Sequence, residues 1–231
     1  MRQAQQDSSR FASFYNEILP SRRVIYLHGF ASSPKSRKAQ FFAKKLSHEG
    51  FTVEIPDLAA GDFEHLTITG QLKIVDSLIA QAPAILIGSS LGGYLAALSA
   101  TRNPRIEKLI MLAPAFGFFD LWTMEFGREK LRQWRENGSI PIFHYGEGKE
   151  MPLAFDLMED ASRYEGFPDV RQGGLIFHGV DDPLVPVGQS RRFATAHENI
   201  RLMEFRSGHE LTDVLDEMWS ATRQFLLDEP L

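Results

Sequence analysis

The sequence has 231 residues, of which 43% are hydrophobic and 24% are charged, a balance typical of one globular domain rather than a disordered chain. The net charge of −5 and the lack of any basic run argue against a nucleic-acid partner, and no apolar stretch is long enough to span a bilayer. Because cysteine is absent, disulfides, thiolate metal sites and cysteine nucleophiles are excluded. The polar amino terminus lacks a signal-peptide pattern, so we expect a cytoplasmic protein.

Residues 1–20 are predicted to form a loosely held lead-in. From residue 21 onward, the sequence predicts one domain in which buried strands alternate with amphipathic helices. The predicted strands are Arg23–Leu27, Phe51–Ile55, Ile85–Ile87, Ile106–Ala113, Gly173–His178 and Arg201–Phe205. The predicted helices cover Pro34–His48, Thr67–Ala80, a segment from Leu91 onward, Val187–Ala196 and Leu211–Leu227. This alternation is typical of an α/β fold with a mostly parallel sheet and helices on both faces.

One long segment, at about residues 116–167, interrupts the alternation and is rich in aromatic side chains. Two short helices are predicted there, near residues 119–137 and 153–165, with a loop containing glycine and proline between them. Long insertions beside an active site are usually functional, so we expect a cap with some rings facing an apolar pocket and most filling its own core. The side chains predicted to line the pocket are His28, Phe116, Phe118 and Trp122.

A turn after the third predicted strand contains the clearest catalytic pattern. Residues 88–92 are Gly-Ser-Ser-Leu-Gly, a G-x-S-x-G motif with a strand before it and a helix after it. A serine at this position takes a strained backbone conformation that exposes its hydroxyl, while the flanking glycines let neighbouring backbone pass closely. The start of the helix also directs free N–H groups and a positive dipole end at the same point. Ser90 is therefore the predicted nucleophile.

Seven histidines are candidates for the general base that a serine hydroxyl needs at neutral pH. His209 fits best, because it follows the last predicted strand and the carboxyl ends of parallel strands share one sheet edge with the elbow. Among the others, His48, His65 and His197 are expected at the surface and His144 in the cap. His28 and His178 each end a strand and precede a glycine, where we expect them to stabilise the loops that follow.

A base histidine also needs a carboxylate on its other ring nitrogen, which fixes the tautomer and stabilises the imidazolium. Asp182, in the loop after the fifth predicted strand, is the preferred candidate. The adjacent Asp181 and the more distant Asp120 remain alternatives on the same sheet edge. The order Ser90, Asp182, His209 is the one found in α/β-hydrolases.

Four motifs together resemble the α/β-hydrolase superfamily over nearly the whole chain, from about residue 23 to residue 227. They are Leu27-His28-Gly29-Phe30, the elbow with its second glycine at residues 88–93, His178-Gly179 with Asp182 and Val185-Pro186, and Gly208-His209. The His-Gly-Phe and Ser-Ser-Pro-Lys-Ser sequence, with this elbow, resembles YqiA-like small esterases and related mitochondrial thioesterase-type hydrolases. The long aromatic cap departs from the smallest members. The resemblance implies an oxyanion hole formed by the backbone N–H groups of Phe30 and Leu91.

These features predict a serine hydrolase that transfers an acyl group to water through an acyl-enzyme, with no metal or organic cofactor. The expected substrate is a carboxylic ester with a small or medium acyl group. A thioesterase using the same residues is the first alternative. A hydrolase-fold protein that only binds a ligand or partner is the alternative from another class. The sequence carries no signal for an oligomeric state.

Overall fold

Six parallel strands form the central sheet of the protein, whose computed structural model describes residues 22–227. The predicted lead-in at residues 1–20 lies outside the described residues. The strands are β1 (Arg23–Leu27), β2 (Thr52–Glu54), β3 (Ala84–Ser89), β4 (Ile106–Leu112), β5 (Ser139–His144), β6 (Lys149–Ala154), β7 (Gly173–Gly179) and β8 (Ile200–Phe205). The helices are α1 (Arg37–His48), α2 (Ile68–Ile79), α3 (Leu91–Arg102), α4 (Phe118–Asn137), α5 (Asp156–Ala161), α6 (Gly188–Ala196) and α7 (Leu215–Leu227).

The strand order of the main sheet, β2-β1-β3-β4-β7-β8, places a crevice beside the elbow. From β1 the chain moves outward to β2, and it then returns to place β3 on the other side of β1. The winding direction therefore reverses between β1 and β3, and α/β proteins bind ligands at the carboxyl ends of strands at such a point. The loop after β1 and the turn at residues 88–92 both begin at this edge.

Side chains of the central strands alternate between two cores, one on each face of the sheet. Val24 and Tyr26 pack with α1 and α7, whereas Ile25 and Leu27 pack with α2, α3 and α6. Because both faces are covered, the strands are apolar throughout, as in parallel sheets generally. The predicted α/β class with helices on both faces is confirmed. Within residues 22–227, no helix combines the length and the apolar character needed to cross a bilayer.

Two helices begin later than predicted. α1 begins at Arg37 rather than Pro34, after a turn at residues 33–36. α7 begins at Leu215 rather than Leu211, because Leu211 has a left-handed φ of 52° that a right-handed helix cannot contain. The side chain of Leu211 is nevertheless buried, so apolar periodicity alone extends the predicted helix too far.

The loop predicted inside the aromatic insertion is wrong, because β5 and β6 form an antiparallel hairpin there. Pro141 and Pro152 lie opposite each other across this hairpin. Proline cannot donate a ladder hydrogen bond, but both strands of a two-stranded sheet are edges, where proline is tolerated. The helix predicted after the loop is shorter than expected and covers only Asp156–Ala161.

A buried carboxylate ties the insertion to the sheet domain. Asp160 accepts hydrogen bonds from the Thr69 N–H at 2.7 Å and from the Thr69 hydroxyl at 2.6 Å. The Tyr164 hydroxyl lies 2.7 Å from the same Thr69 oxygen. The Thr69 N–H belongs to the first turn of α2, where backbone donors have no partner within the helix. Asp160 therefore caps α2 from the insertion.

Replacing Asp160 by alanine should lower the free energy of unfolding by about 1–3 kcal/mol, because the partly buried Thr69 N–H and hydroxyl groups lose their acceptor. Urea unfolding of the full chain measures the change. Asp156→Ala, at an exposed position on the same helix, is the matched control and should change stability by less than about 0.5 kcal/mol. If both variants had the same free energy of unfolding as wild type, the hydrogen bonds between Asp160 and Thr69 would not contribute to stability.

Candidate active site

The elbow has the strained geometry that its motif predicts. Ser90 lies between β3 and α3 with φ 54° and ψ −118°, in the left-handed half of backbone space. A Cβ on Gly88 would lie 2.2 Å from the Gly92 oxygen, and one on Gly92 would lie 2.1 Å from the Leu27 oxygen. Neither approach is compatible with a side chain, so both glycines are required for β1, β3 and α3 to meet here.

A continuous chain of hydrogen bonds joins Ser90, His209 and Asp182. The His209 Nε2 lies 3.0 Å from the Ser90 Oγ, and its Nδ1 lies 2.7 Å from the Asp182 Oδ2. A carboxylate only accepts hydrogen bonds, so Nδ1 carries the proton and Nε2 is left to accept from the serine hydroxyl. The three residues come from the loops after β8, β7 and β3, which the parallel sheet brings to one edge.

Asp182 is the carboxylate that contacts His209, whereas Asp181 and Asp120 are exposed. Its Oδ1 accepts from the N–H groups of Leu184 and Val185, both at 2.9 Å. Burial alone would raise the pKa of Asp182, but hydrogen bonds from His178, His209 and the loop amide outweigh it. The pKa therefore lies well below its ordinary value, and the group is an anion at neutral pH.

His178, near the end of β7, contacts both Asp182 and the loop that carries it. Its Nδ1 lies 2.7 Å from the Ser190 hydroxyl, and its Nε2 lies 2.8 Å from the Val185 oxygen and 3.2 Å from the Asp182 carboxylate. The carbonyl and the carboxylate both accept, so Nε2 carries the proton and Ser190 donates to Nδ1. Ser190 was not predicted from the sequence, because it lies in α6, away from the motif, and no local pattern marks it.

The predicted oxyanion donors belong to two segments that meet at Ser90. Leu91 begins α3, and Phe30 belongs to the loop after β1, where a Cβ on Gly29 would lie 3.4 Å from the Ser90 Cβ. Among residues 22–227, no hydrogen-bond acceptor lies against either backbone N–H. An oxyanion hole requires backbone donors near the serine, and the role of these two N–H groups remains a prediction.

Three of the four residues predicted to line the pocket are enclosed by protein. Phe116 is fully buried and stacks on Phe193 with ring centroids 4.0 Å apart, and Phe118 is also buried. His28 accepts a hydrogen bond from the Leu58 N–H on Nε2, and burial lowers its pKa. Contacts within the core cover these three side chains in the described structure, and their role in lining a pocket stays a prediction.

Trp122 is the fourth predicted pocket residue and is only partly buried. Its ring meets the Phe30 ring edge-on, with centroids 4.8 Å apart. The Phe30 ring also packs against Phe63 at 5.5 Å. The insertion thus contacts the same residue whose N–H is the predicted oxyanion donor. No local pattern in the sequence indicates this contact, which joins residues distant along the chain.

Comparisons with known proteins agree with this architecture. A family model described as "Uncharacterised protein family (UPF0227)" matches residues 23–226. The mitochondrial palmitoyl-protein thioesterase ABHD10 of Bos taurus is 26% identical over 180 residues, which are 71% of this chain and 58% of the relative. This chain therefore matches little more than half the length of that relative.

Solved structures resemble the chain over most of its length. Mouse alpha/beta hydrolase domain-containing protein 10 superposes with a TM-score of 0.76 at 19% identity, over 88% of this chain and 89% of that one. Est1E from Butyrivibrio proteoclasticus superposes with a TM-score of 0.74 at 20% identity, over 92% of this chain and 90% of that one. At such identities the likeness shows the fold, and the predicted α/β-hydrolase fold is confirmed.

Proposed function

Because the chain belongs to the UPF0227 family and has the α/β-hydrolase fold, we propose that it is a serine hydrolase of carboxylic esters. In this proposal Ser90 is the nucleophile, His209 is the general base and Asp182 orients the base. The observation that carries it is the hydrogen-bonded chain from Ser90 through His209 to Asp182, with the serine at a strained turn.

Acylation begins when the Ser90 Oγ attacks the substrate's carbonyl carbon while the His209 Nε2 takes the hydroxyl proton. The negative charge that forms on the carbonyl oxygen is stabilised by the backbone N–H groups of Phe30 and Leu91, the proposed oxyanion hole. The bond to the leaving group then breaks, and Nε2 returns the proton to the leaving oxygen. The serine is left as an ester of the acyl group.

Deacylation repeats these steps with water as the nucleophile. Nε2 takes a proton from water as its oxygen attacks the acyl carbon, and then returns it to the Ser90 oxygen as the carboxylic acid leaves. The anionic Asp182 stabilises the imidazolium that forms in both halves of the reaction. The chain's own residues account for every proton transfer, and no cofactor is required.

A thioester is the second candidate substrate, favoured by one specific finding. The bovine relative is named a palmitoyl-protein thioesterase, although this chain covers only 58% of it. The same residues serve a thioester, because only the leaving atom changes from oxygen to sulfur. The same relative is named as mitochondrial, and the cytoplasmic location expected from the sequence stays a prediction.

Labelling with a fluorophosphonate probe tests the mechanism, because the probe phosphonylates only an activated serine. We expect mass spectrometry of the digested protein to find the adduct on Ser90. Turnover of p-nitrophenyl esters and of matched acyl thioesters, from acetyl to palmitoyl, then identifies the leaving group and acyl length. A folded protein that neither labels nor turns over any of these substrates would instead favour a role in binding a ligand or partner.

A further inference from the structure

The hairpin of the insertion touches the loop that carries Phe30. The Tyr145 N–H, at the turn between β5 and β6, donates to the Ala31 carbonyl oxygen at 2.8 Å. A Cβ on Gly146 would lie 2.7 Å from the Ser33 Cβ, so the turn and the loop are in direct contact. The insertion therefore holds the backbone immediately after the proposed oxyanion donor.

The backbone at Ala31 is strained and needs such support. Its φ of 51° lies in the left-handed region, which costs energy for a residue that has a Cβ. A residue persists there only when the surrounding structure determines its conformation. Ala31 is buried, and its carbonyl oxygen accepts the hydrogen bond from the hairpin. Because Ala31 directly follows Phe30, a change in its conformation would also displace the backbone of Phe30.

Aromatic contacts hold the side chain of Phe30 as well. Its ring packs against Trp122 of α4, with centroids 4.8 Å apart, and against Phe63, with centroids 5.5 Å apart. The buried Phe63 ring meets the His144 ring edge-on at 4.7 Å. His144 is the last residue of β5, directly before Tyr145. Phe30 therefore contacts the helix of the insertion directly and the hairpin through Phe63.

We propose that the hairpin of the insertion positions the Phe30 N–H, through the hydrogen bond from Tyr145 to Ala31 and the aromatic contacts of Phe30. This inference rests on the proposed function, in which the Phe30 N–H stabilises the oxyanion of the substrate. Such a donor is most effective when it is fixed in place before the charge develops. Tyr145 is thus a positioning residue that acts through its main chain, and its side chain, which is 77% exposed, is not required.

Tyr145→Pro removes the donor while keeping the turn. Tyr145 is the second residue of a turn closed by the Glu147 N–H and the His144 oxygen at 3.1 Å, and this position favours proline. The residue before a proline should be extended, and His144 lies in β5. The Tyr145 N–H also lies beyond the last ladder pair of the hairpin, His144 with Lys149. Tyr145→Ala, which loses the same side chain but keeps the N–H, is the matched control.

Tyr145→Pro should lower kcat for the best p-nitrophenyl ester by about ten- to a hundredfold and leave KM within about twofold of wild type. A misplaced oxyanion donor weakens an interaction made only in the transition state, whereas a damaged binding site would raise KM. Tyr145→Ala should match wild type in both constants. Phe63→Leu, which shortens the ring between Phe30 and His144, should lower kcat several-fold in the same way, and it tests the inference if Tyr145→Pro does not fold.

The NMR signal of the Phe30 amide in the full chain reports the position of the donor whether or not the protein is an enzyme. With isotopically labelled phenylalanine, this signal is assigned by its loss in Phe30→Leu. It should move in Tyr145→Pro and stay in place in Tyr145→Ala. With an active wild type, a kcat or a Phe30 signal in Tyr145→Pro that matched Tyr145→Ala would overturn the inference. A wild type that neither labels with fluorophosphonate nor turns over esters would instead overturn the proposed function, and the Phe30 signal would still show whether the hairpin positions the loop.

Discussion

Replacing Ser90 by alanine is expected to abolish fluorophosphonate labelling and to lower kcat/KM for ester hydrolysis by about 10⁴-fold or more. Without the hydroxyl, His209 has no nucleophile to activate, and only the oxyanion donors and substrate binding remain. Alanine accepts the backbone of Ser90, with its φ of 54°, no less readily than serine, so the fold should be unaffected. Steady-state hydrolysis of the best p-nitrophenyl ester and gel-based labelling measure the effect.

Ser89→Ala provides the matched control for that variant. Ser89 precedes the nucleophile and is buried at the end of β3, on the strand side of the turn. Ser89→Ala removes a hydroxyl group one residue before the nucleophile. We expect labelling to persist and turnover to stay within a few-fold of wild type. If Ser90→Ala still reacted with the probe, another serine would be the nucleophile and the proposed mechanism would fail.

The sequence predicts most of the site because the relevant signals are local. The five residues of the G-x-S-x-G motif specify the backbone conformation of the turn, so the motif alone predicts Ser90 as the nucleophile. The buried strands are continuous apolar runs, and a parallel sheet brings their carboxyl ends to one edge whatever the details of packing. His209 and Asp182 were therefore predicted to reach that edge from the chain order alone.

The features that the sequence missed depend on contacts between distant segments. Phe116 stacks on Phe193, and nothing near Phe116 in the sequence specifies that partner. Nothing near Lys38 in the sequence predicts its burial, but only 9% of its side chain is exposed, and its Nζ lies 3.7 Å from the carboxylate of Glu210 after β8. The hairpin of the insertion was not predicted, because Pro141 and Pro152 favour a loop. Proline is tolerated in both strands because each is an edge of the two-stranded sheet.

Asp182→Asn is expected to be nearly as damaging as loss of the serine, with kcat lowered by about 10³–10⁴-fold. Two loop amides donate to Oδ1, so the asparagine oxygen should remain there and its NH₂ group should face His209. An NH₂ group donates, which forces the His209 Nδ1 to become the acceptor and moves the ring proton to Nε2. The histidine then cannot take the proton of Ser90, although its position hardly changes.

Asp181→Asn is the matched control, because Asp181 is adjacent and exposed and its carboxylate does not contact His209. Its turnover should stay within a few-fold of wild type. An equal loss in the two variants would mean that the loop, rather than the carboxylate on His209, governs activity. Steady-state kinetics near neutral pH, with circular dichroism to confirm folding, separates these outcomes.

The difference in the free energy of unfolding between the wild type and Asp182→Asn should depend on pH in a defined direction. The pKa of Asp182 is lower in the folded protein than in the unfolded chain, where it is about 4, so its ionisation stabilises the fold above that pH. This contribution decreases as the pH falls below about 4, because the unfolded chain takes up the proton first, and it is fully lost only when the pH falls through the lower pKa of the folded state. The wild type should therefore be more stable than Asp182→Asn at neutral pH, and the difference should narrow in acid. Urea unfolding of both proteins at neutral and acidic pH measures this difference. If the difference stayed constant, the hydrogen bonds would not be holding the carboxylate as an anion.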